Sequence, residues 1–464
     1  MLLLEFFPGE RNERFFKKYD EGRAYHDLII TIIAVTAKIL GPISWWSSED
    51  VDTCLSSLLT ATAYDNDAFN PDISLDQFRQ ECLLAYYHFH QFPGAPAWMR
   101  ISRLTRKAYA MDLNQIEDPD LCSIYETPVT DNDIEDWRYV WWFVYSLDSY
   151  SNMSLGTPFV VDMESINTAL VRRSLTDEEV PNSPKLFLPE DLGRLWKTAQ
   201  DILSSASVRG GSQFSLFIIT TTILRQAGNA LRLRITKKQV HSKMETLKGH
   251  LASLRLALPQ NFLNPARNVL TIESGLDQHA RLTSILHLHM ARSIISLPQN
   301  FEGSPSAWLD DWQKNLETCQ DIASVAAEWN SQFSSCVDPA CCVIAFVALR
   351  VINLHRRCIT DTDSALLERL TQDENILSLF LEQFASIWGL PRILLQLYRN
   401  SLTDDKLTFT EVDQAMNRIK TPLHLKILQR AYPVNFSTAV PDGQLDSSTD
   451  LSNMWSLDTQ FLNF

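Results

Sequence analysis

The chain has 464 residues, 45% of them hydrophobic, and only 14 glycines. That length can bury a large core, with room for roughly two to three domains, and scarce glycine favours helices over turn-rich sheets. A formal charge of −15 excludes a chain that grips phosphate backbones by itself, because nucleic-acid affinity comes largely from Lys and Arg displacing counterions. The eight cysteines begin at Cys54 and include no Cys-x-x-Cys pair, so no zinc cluster is expected. Cys336, Cys341 and Cys342 are close neighbours, but they open what reads as a buried helix. The start, Met1-Leu2-Leu3-Leu4-Glu5, lacks the basic region of a secretory signal. The longest apolar stretches, residues 28–40 and 341–354, fall short of the roughly 20 residues that span a bilayer. The expectation is a soluble protein with reduced thiols.

Hydrophobic periodicity predicts an all-α fold. Residues 28–40 are apolar nearly all round and predict a central helix, with Asp27 as its cap and Gly41-Pro42 as its stop. Ser74-Leu75-Asp76-Gln77 has the form of a capping box. It opens a helix through Phe78, Cys82, Leu83 and Tyr86 that ends near Phe92-Pro93-Gly94. Two helices are expected over 98–113 and 133–149. An acidic loop, 114–131, joins them and holds Glu117, Asp118, Asp120 and Glu126. Residues 172–189, with Pro181, Pro184 and Pro189, read as a long surface loop. Helical periodicity resumes over 191–204, 213–233, 243–258, 277–297, 308–331, 339–357 and 366–399. Pro391 is expected to start a new segment or kink the last one. No repeat of 20–50 residues and no block of alternating strands is present.

Residues 135–148 read Glu-Asp-Trp-Arg-Tyr-Val-Trp-Trp-Phe-Val-Tyr-Ser-Leu-Asp. On a helix Trp141, Tyr145 and Asp148 share one face, and Trp142, Phe143 and Leu147 cover the others. Such a helix must be deeply buried. Asp148 then needs arginine or backbone donors. Arg100, Arg103 and Arg106, spaced i, i+3, i+6 on the preceding helix, are the arginines expected to pair with Asp148 or Glu135. A structural ion pair is expected in preference to catalysis. Gly156-Thr157-Pro158 reads as a turn.

Catalytic patterns are missing. His88-x-His90 and His287-x-His289 place paired histidines about 200° apart on a helix, unsuited to one metal. No H-E-x-x-H, P-loop, G-x-G-x-x-G or G-x-S-x-G occurs. Asp310-Asp311-Trp312-Gln313-Lys314 fails the last position of the D-D-x-x-D/E metal motif of terpene cyclases. The chain is therefore read as a non-enzyme with no catalytic residue, metal or cofactor.

Residues 431–464 differ in kind, with no Lys, Arg or His. Asp442, Asp446, Asp450 and Asp458 alternate with Leu445, Leu451, Met454, Trp455, Leu457, Phe461, Leu462 and Phe464. This is the acidic-hydrophobic pattern of activation segments. The acids keep the apolar residues in water, available to a partner's groove. Leu457, Phe461 and Phe464 would form one helix face, as would Leu451, Met454 and Trp455. A tail docked on its own domain is the competing expectation. The predicted organisation is a helical regulatory domain over 1–430 followed by a flexible acidic tail over 431–464. A basic cluster, Arg232, Arg234, Lys237 and Lys238, admits either nuclear import or a solvated helix end.

Residues 100–158 resemble the regulatory, or middle-homology, domain of the fungal zinc-cluster transcription factors. Arg106-Lys107-Ala108-Tyr109-Ala110-Met111-Asp112-Leu113 stands where that family has R-x-A-x-x-L-G-L. Glu135, Arg138, Trp141, Trp142 and Asp148 match E-x-x-R-R-x-W-W-x-x-x-x-x-D, and Gly156-Thr157-Pro158 stands for G-R-P. Asp112 in place of Gly and Thr157 in place of Arg mark a divergent member. The resemblance covers residues 2–258. Further on, His287-Leu288-His289-Met290-Ala291-Arg292 resembles an L-x-x-Y-x-x-A-R-I helix. Pro339 with Phe346 and Ala348 resembles P-x-x-x-x-x-x-F-x-A-L, and Trp388 with Leu395 resembles W-x-x-A-x-x-x-L, with Pro391 replacing Ala. The resemblance implies a nuclear regulator of RNA polymerase II transcription in a fungus, pathway-specific for a metabolic or secondary-metabolite gene cluster. Family members normally carry six cysteines holding two zinc ions upstream. Since none precedes Cys54 here, the expectation is a regulator without its own DNA reader. It would reach DNA through a DNA-binding partner protein, or through upstream exons, and touch a coactivator or the transcription machinery through its tail. The alternatives are a ligand-sensing or inhibitory co-regulator, and a helical enzyme recruited from this scaffold.

Overall fold

The computed structural model describes residues 10–415, except 42–43, 62–72, 127, 172–183, 206–212, 236–240, 269–272, 299–304, 359–363, 403–405, 408–410 and 413. Among the described residues all regular structure is helical. The first part holds α1 (Glu10–Asp20), α2 (His26–Leu40), α3 (Ser48–Ala61), α4 (Leu75–Gln91), α5 (Ala95–Ala110) and α6 (Asp131–Leu155). The middle holds α7 (Leu195–Ser205), α8 (Gln213–Ile235), α9 (His241–Ala257) and the single turn α10 (Gln260–Leu263). The last part holds α11 (Gly275–Ile295), α12 (Pro305–Ala327), α13 (Cys341–Cys358), α14 (Ser364–Ala385) and α15 (Gly389–Asn400). The acidic tail, 431–464, lies outside the described residues, as do Lys237, Lys238 and most of the expected 172–189 loop.

Helix ends follow local chemistry. The capping box of Ser74 and Gln77 opens α4 as expected, with Gln77 N donating to the Ser74 hydroxyl and Ser74 N to Gln77 Oε1. Thr130 and Asp133 make a second box at α6, which starts two residues before the expected 133 and runs on to Leu155. Gly156, at φ 65°, ends it in the left-handed region where glycine costs least. Asp27 is not the cap of α2. Tyr25 holds that position, and Asp27 sits in the first turn, where its charge complements the helix dipole. The expected helix over 366–399 is two helices, and Pro391 falls in the first turn of the second, where its missing N–H is harmless.

Packing closes the chain on itself. α4 lies against α2, α5 and α6; α6 lies on α8; α8 lies on α11, which passes the contact to α12 and α13. α13 then packs with α14 and α15, and α15 returns to α4. Trp388 makes that return. Its buried ring meets Tyr86 and His90 edge-on, each at 5.8 Å, and Gly389 N donates to Gln91 Oε1 at 3.1 Å. The buried hydrophobic residues form one continuous core.

Candidate functional site

The site is organised by α6, whose residues from Glu135 to Asn152 are all buried. Trp142 is fully buried and donates its indole N–H to the Ala169 carbonyl at 2.8 Å. Trp141 packs edge-on to Tyr109 at 5.6 Å, and its indole N–H is buried without a partner. The two tryptophans therefore differ in cost. Trp142→Phe is expected to destabilise by about 2 kcal/mol, because it leaves a void and orphans a buried carbonyl. Trp141→Phe should cost distinctly less, having no hydrogen bond to lose; urea unfolding of the two variants compares them.

Asp148, at 0% exposure, is the polar centre of α6. Arg225 of α8 donates to its Oδ2 at 2.8 Å, Asn152 Nδ2 to its Oδ1 at 2.7 Å, and the Val160 and Val161 amides at 3.0 and 3.1 Å. Arg225 also donates to Ser149 Oγ at 3.0 Å and to the Val161 carbonyl, and its guanidinium covers the Phe159 ring at 3.9 Å. Both carboxylate oxygens are thus engaged in holding residues 159–161 against α8. This is a structural clamp, and it is satisfied without a ligand or substrate.

The partner expected for Asp148 is corrected. Arg100 of α5 donates instead to His88 Nδ1 at 3.2 Å and to the Leu59 carbonyl. Arg103 and Arg106 lie on the exposed face of α5, away from the carboxylate. Glu135 receives Arg138, one turn on in its own helix. Arg138 reaches Glu117 as well, with a two-pronged contact at 2.6 and 2.7 Å. The acidic loop therefore contributes a buried anchor. Burial alone would raise the Glu117 pKa, but hydrogen bonds from Arg138 and Lys185 outweigh it and hold the carboxyl below its usual range.

Beyond the clamp, the end of α6 meets α8, α11 and α13 around a cavity of about 80 Å³. Met153, Leu224, Met290, Ile294, Val343 and Val347 give it an apolar wall. Phe159 and the turn at Gly156-Thr157 close one side. Gly228, one turn beyond Arg225, lets α8 approach Met153: a Cβ there would lie 3.1 Å from its Cγ. Arg232 and Arg234 sit at the end of α8. Arg234 donates to the carbonyls of Leu297 and Pro298 at 2.9 and 2.8 Å, and Arg232 lines the cavity. These two members of the basic cluster are half-buried rather than a solvated helix end.

Residues 6–318 match the family model described as the fungal specific transcription factor domain. The chain belongs to this family. It is also 33% identical over 101 residues to the transcription factor tazR of Aspergillus terreus (strain NIH 2624 / FGSC A1156). That match spans 22% of this chain and 15% of the Aspergillus protein. No solved structure matches the chain.

The departures from the family's motifs now have positions. Asp112 adopts φ 51°, ψ 35°, the left-handed conformation that suits the glycine usual there. Asp is among the few side chains that tolerate it. Asp112→Gly is expected to stabilise this transcription factor domain by about 0.5–1 kcal/mol, relief of left-handed strain exceeding the entropy lost; chemical denaturation measures it. Thr157, where the family usually has Arg, donates to Asn152 Oδ1 at 2.6 Å, an oxygen that also accepts from Trp98 at 2.9 Å. The turn is therefore tied to α6 and α5 by neutral hydrogen bonds.

Three residues that shape this site were not singled out by the sequence reading. Arg225 sits in a helix that reads as ordinary periodic sequence, and Glu117 reads as one acid among several. Gly228 has a signal, a lone glycine inside a helical pattern, which marks close packing. Among the described residues no group of three or more His, Cys, Asp or Glu could hold a metal ion. No helix among them is long and apolar enough to cross a membrane.

Proposed function

We propose that this chain is the regulatory region of a fungal transcription regulator acting in the nucleus on a metabolic or secondary-metabolite gene cluster. The observation that carries this reading is the family match over residues 6–318. The likeness to a protein named as a transcription factor supports it. The site supports binding and regulation over catalysis, because Asp148, the most buried carboxylate of α6, spends both oxygens on structural donors. The charge of −15 and the lack of paired cysteines leave DNA contact to a DNA-binding partner or to a further segment of the protein. The acidic, aromatic residues of 431–464 are proposed to engage a coactivator.

The test is RNA sequencing of a deletion strain against its parent. A coherent set of transcripts is expected to fall and to be restored by these 464 residues. Unchanged transcripts with a missing metabolite would replace this reading with an enzymatic one. Removing residues 441–464 from a reporter fusion separates an activator, which loses output, from a sensor, which does not.

A further inference from the structure

The cavity between α6, α8, α11 and α13 has one unmatched polar group. Six of its lining residues have polar side chains. Tyr150 hydrogen-bonds His287, and Asn152 serves Asp148, Trp98 and Thr157. Ser154 donates to the Tyr150 carbonyl, Thr157 donates to Asn152, and Ser293 accepts from Asn315. The sixth is Arg232. Its Nη2 donates to Asn229 Oδ1 at 2.9 Å, while its Nε–H is buried with no partner. Among the described residues no carboxylate lies within ion-pair distance of it. A buried guanidinium N–H with no acceptor is costly, and native structures rarely keep one without a reason.

We propose that this cavity binds a small monocarboxylate with a short alkyl chain. The carboxylate would accept a charge-assisted hydrogen bond from the unpartnered Arg232 Nε–H, beside the Nη2 that Asn229 already engages. The alkyl chain would lie along Leu224, Ile294, Val343 and Val347. Size sets the class. At about 80 Å³ the cavity is far below the roughly 300–1,000 Å³ of a drug-sized site. Met153 and Met290 line it from opposite helices, and their unbranched thioethers can swing to enlarge it by a few carbons. The ligand would bridge α6 and α8 on one side to α11 and α13 on the other.

The test uses the full chain with ¹³C-methyl methionine and titrates butanoate through octanoate, with 1-hexanol as the uncharged control. The methyl signals of Met153 and Met290 should move selectively among the nine methionines. Affinity should rise about fourfold per added methylene until the cavity is full. Arg232→Gln should weaken hexanoate by about tenfold or more and leave 1-hexanol unchanged. Val343→Phe, built on a half-buried rim position, should exclude acid and alcohol alike while the far-ultraviolet spectrum is retained. The proposal is overturned if hexanoate and hexanol bind equally, if Arg232→Gln binds hexanoate normally, or if methyl shifts spread evenly over all methionines. Binding is read apart from transcription: a chain that binds hexanoate but controls no transcripts keeps this site and loses the regulatory reading.

Discussion

Asp148→Ala is expected to destabilise the fold by about 3–5 kcal/mol, the range for breaking a buried ion pair by removing one partner. The change strands the Arg225 guanidinium, 3% exposed, without a counter-ion. It also orphans the amides of Val160 and Val161, which donate to that carboxylate. The cost arises from these uncompensated groups more than from the attraction lost. Asp148→Leu combined with Arg225→Met should recover part of the loss, since both charges then leave together. Recovery should be incomplete, because the two amides and the Val161 carbonyl that accepts from Arg225 still lack partners. Denaturant unfolding of the single and double variants forms the cycle. A single variant within about 1 kcal/mol of the parent would show that Asp148 is not the anchor described. The same loss should loosen residues 159–161, and with them the Phe159 wall of the cavity.

Acid is the second expected source of large effects. His287 is buried against Phe217 and Tyr150, and desolvation lowers its pKa to about 3, with Asp338 opposing. His88, beside Arg100, and His289, near Arg255 and Arg292, are lowered to about 3 by burial and then by those cations. His355, stacked on Trp312 at 3.6 Å, is likewise held at about 3 by burial. In the unfolded chain each would titrate near 6.5. Between roughly pH 6.5 and 3 the unfolded state therefore binds protons that the folded state refuses. Stability is fully present above pH 6.5 and falls as pH drops, by about 1.4 kcal/mol per pH unit for each such histidine. Glu117 and Glu273 act in a lower window. Burial opposes their ionisation, but hydrogen bonds to arginine hold both below the usual range. Their contribution is present above about pH 4.3 and is lost below it. Denaturant unfolding measured from pH 7 to pH 4 should show the steep histidine decline first, and His355→Gln should reduce its slope by one proton. A flat profile between pH 6.5 and 5 would refute the assignment.

Much of this architecture was open to reading from the chain. Helical period and capping chemistry are local, so the α4 box, the turn at Gly156, the restart near Pro391 and the burial of residues 135–148 follow from residues within a few positions of each other. The motif order around Trp141, Trp142 and Asp148 also placed the chain in its family, which the match over 6–318 shows independently. The need of Asp148 for an arginine was equally legible, since a buried carboxylate requires donors.

Which arginine it would be was not. Arg225 lies 77 residues from Asp148 in sequence, and only the packing of α8 on α6 brings them together. Arg100, Arg103 and Arg106 had the right spacing on the neighbouring helix, but the rotation of α5 turns two of them to solvent and one toward His88. Glu117 became a buried anchor because the loop folds back onto Arg138. The cavity and its unpaired Arg232 exist only where four helices fail to fill the space between them. The sequence by itself determined most of the helices, the capping box that opens α4 and the chemistry each buried face demands, because those depend on neighbours along the chain. The tertiary structure decided the ion-pair partner, the clamp on residues 159–161 and the cavity, because those depend on side-chain volumes and helix rotations summed over the whole core.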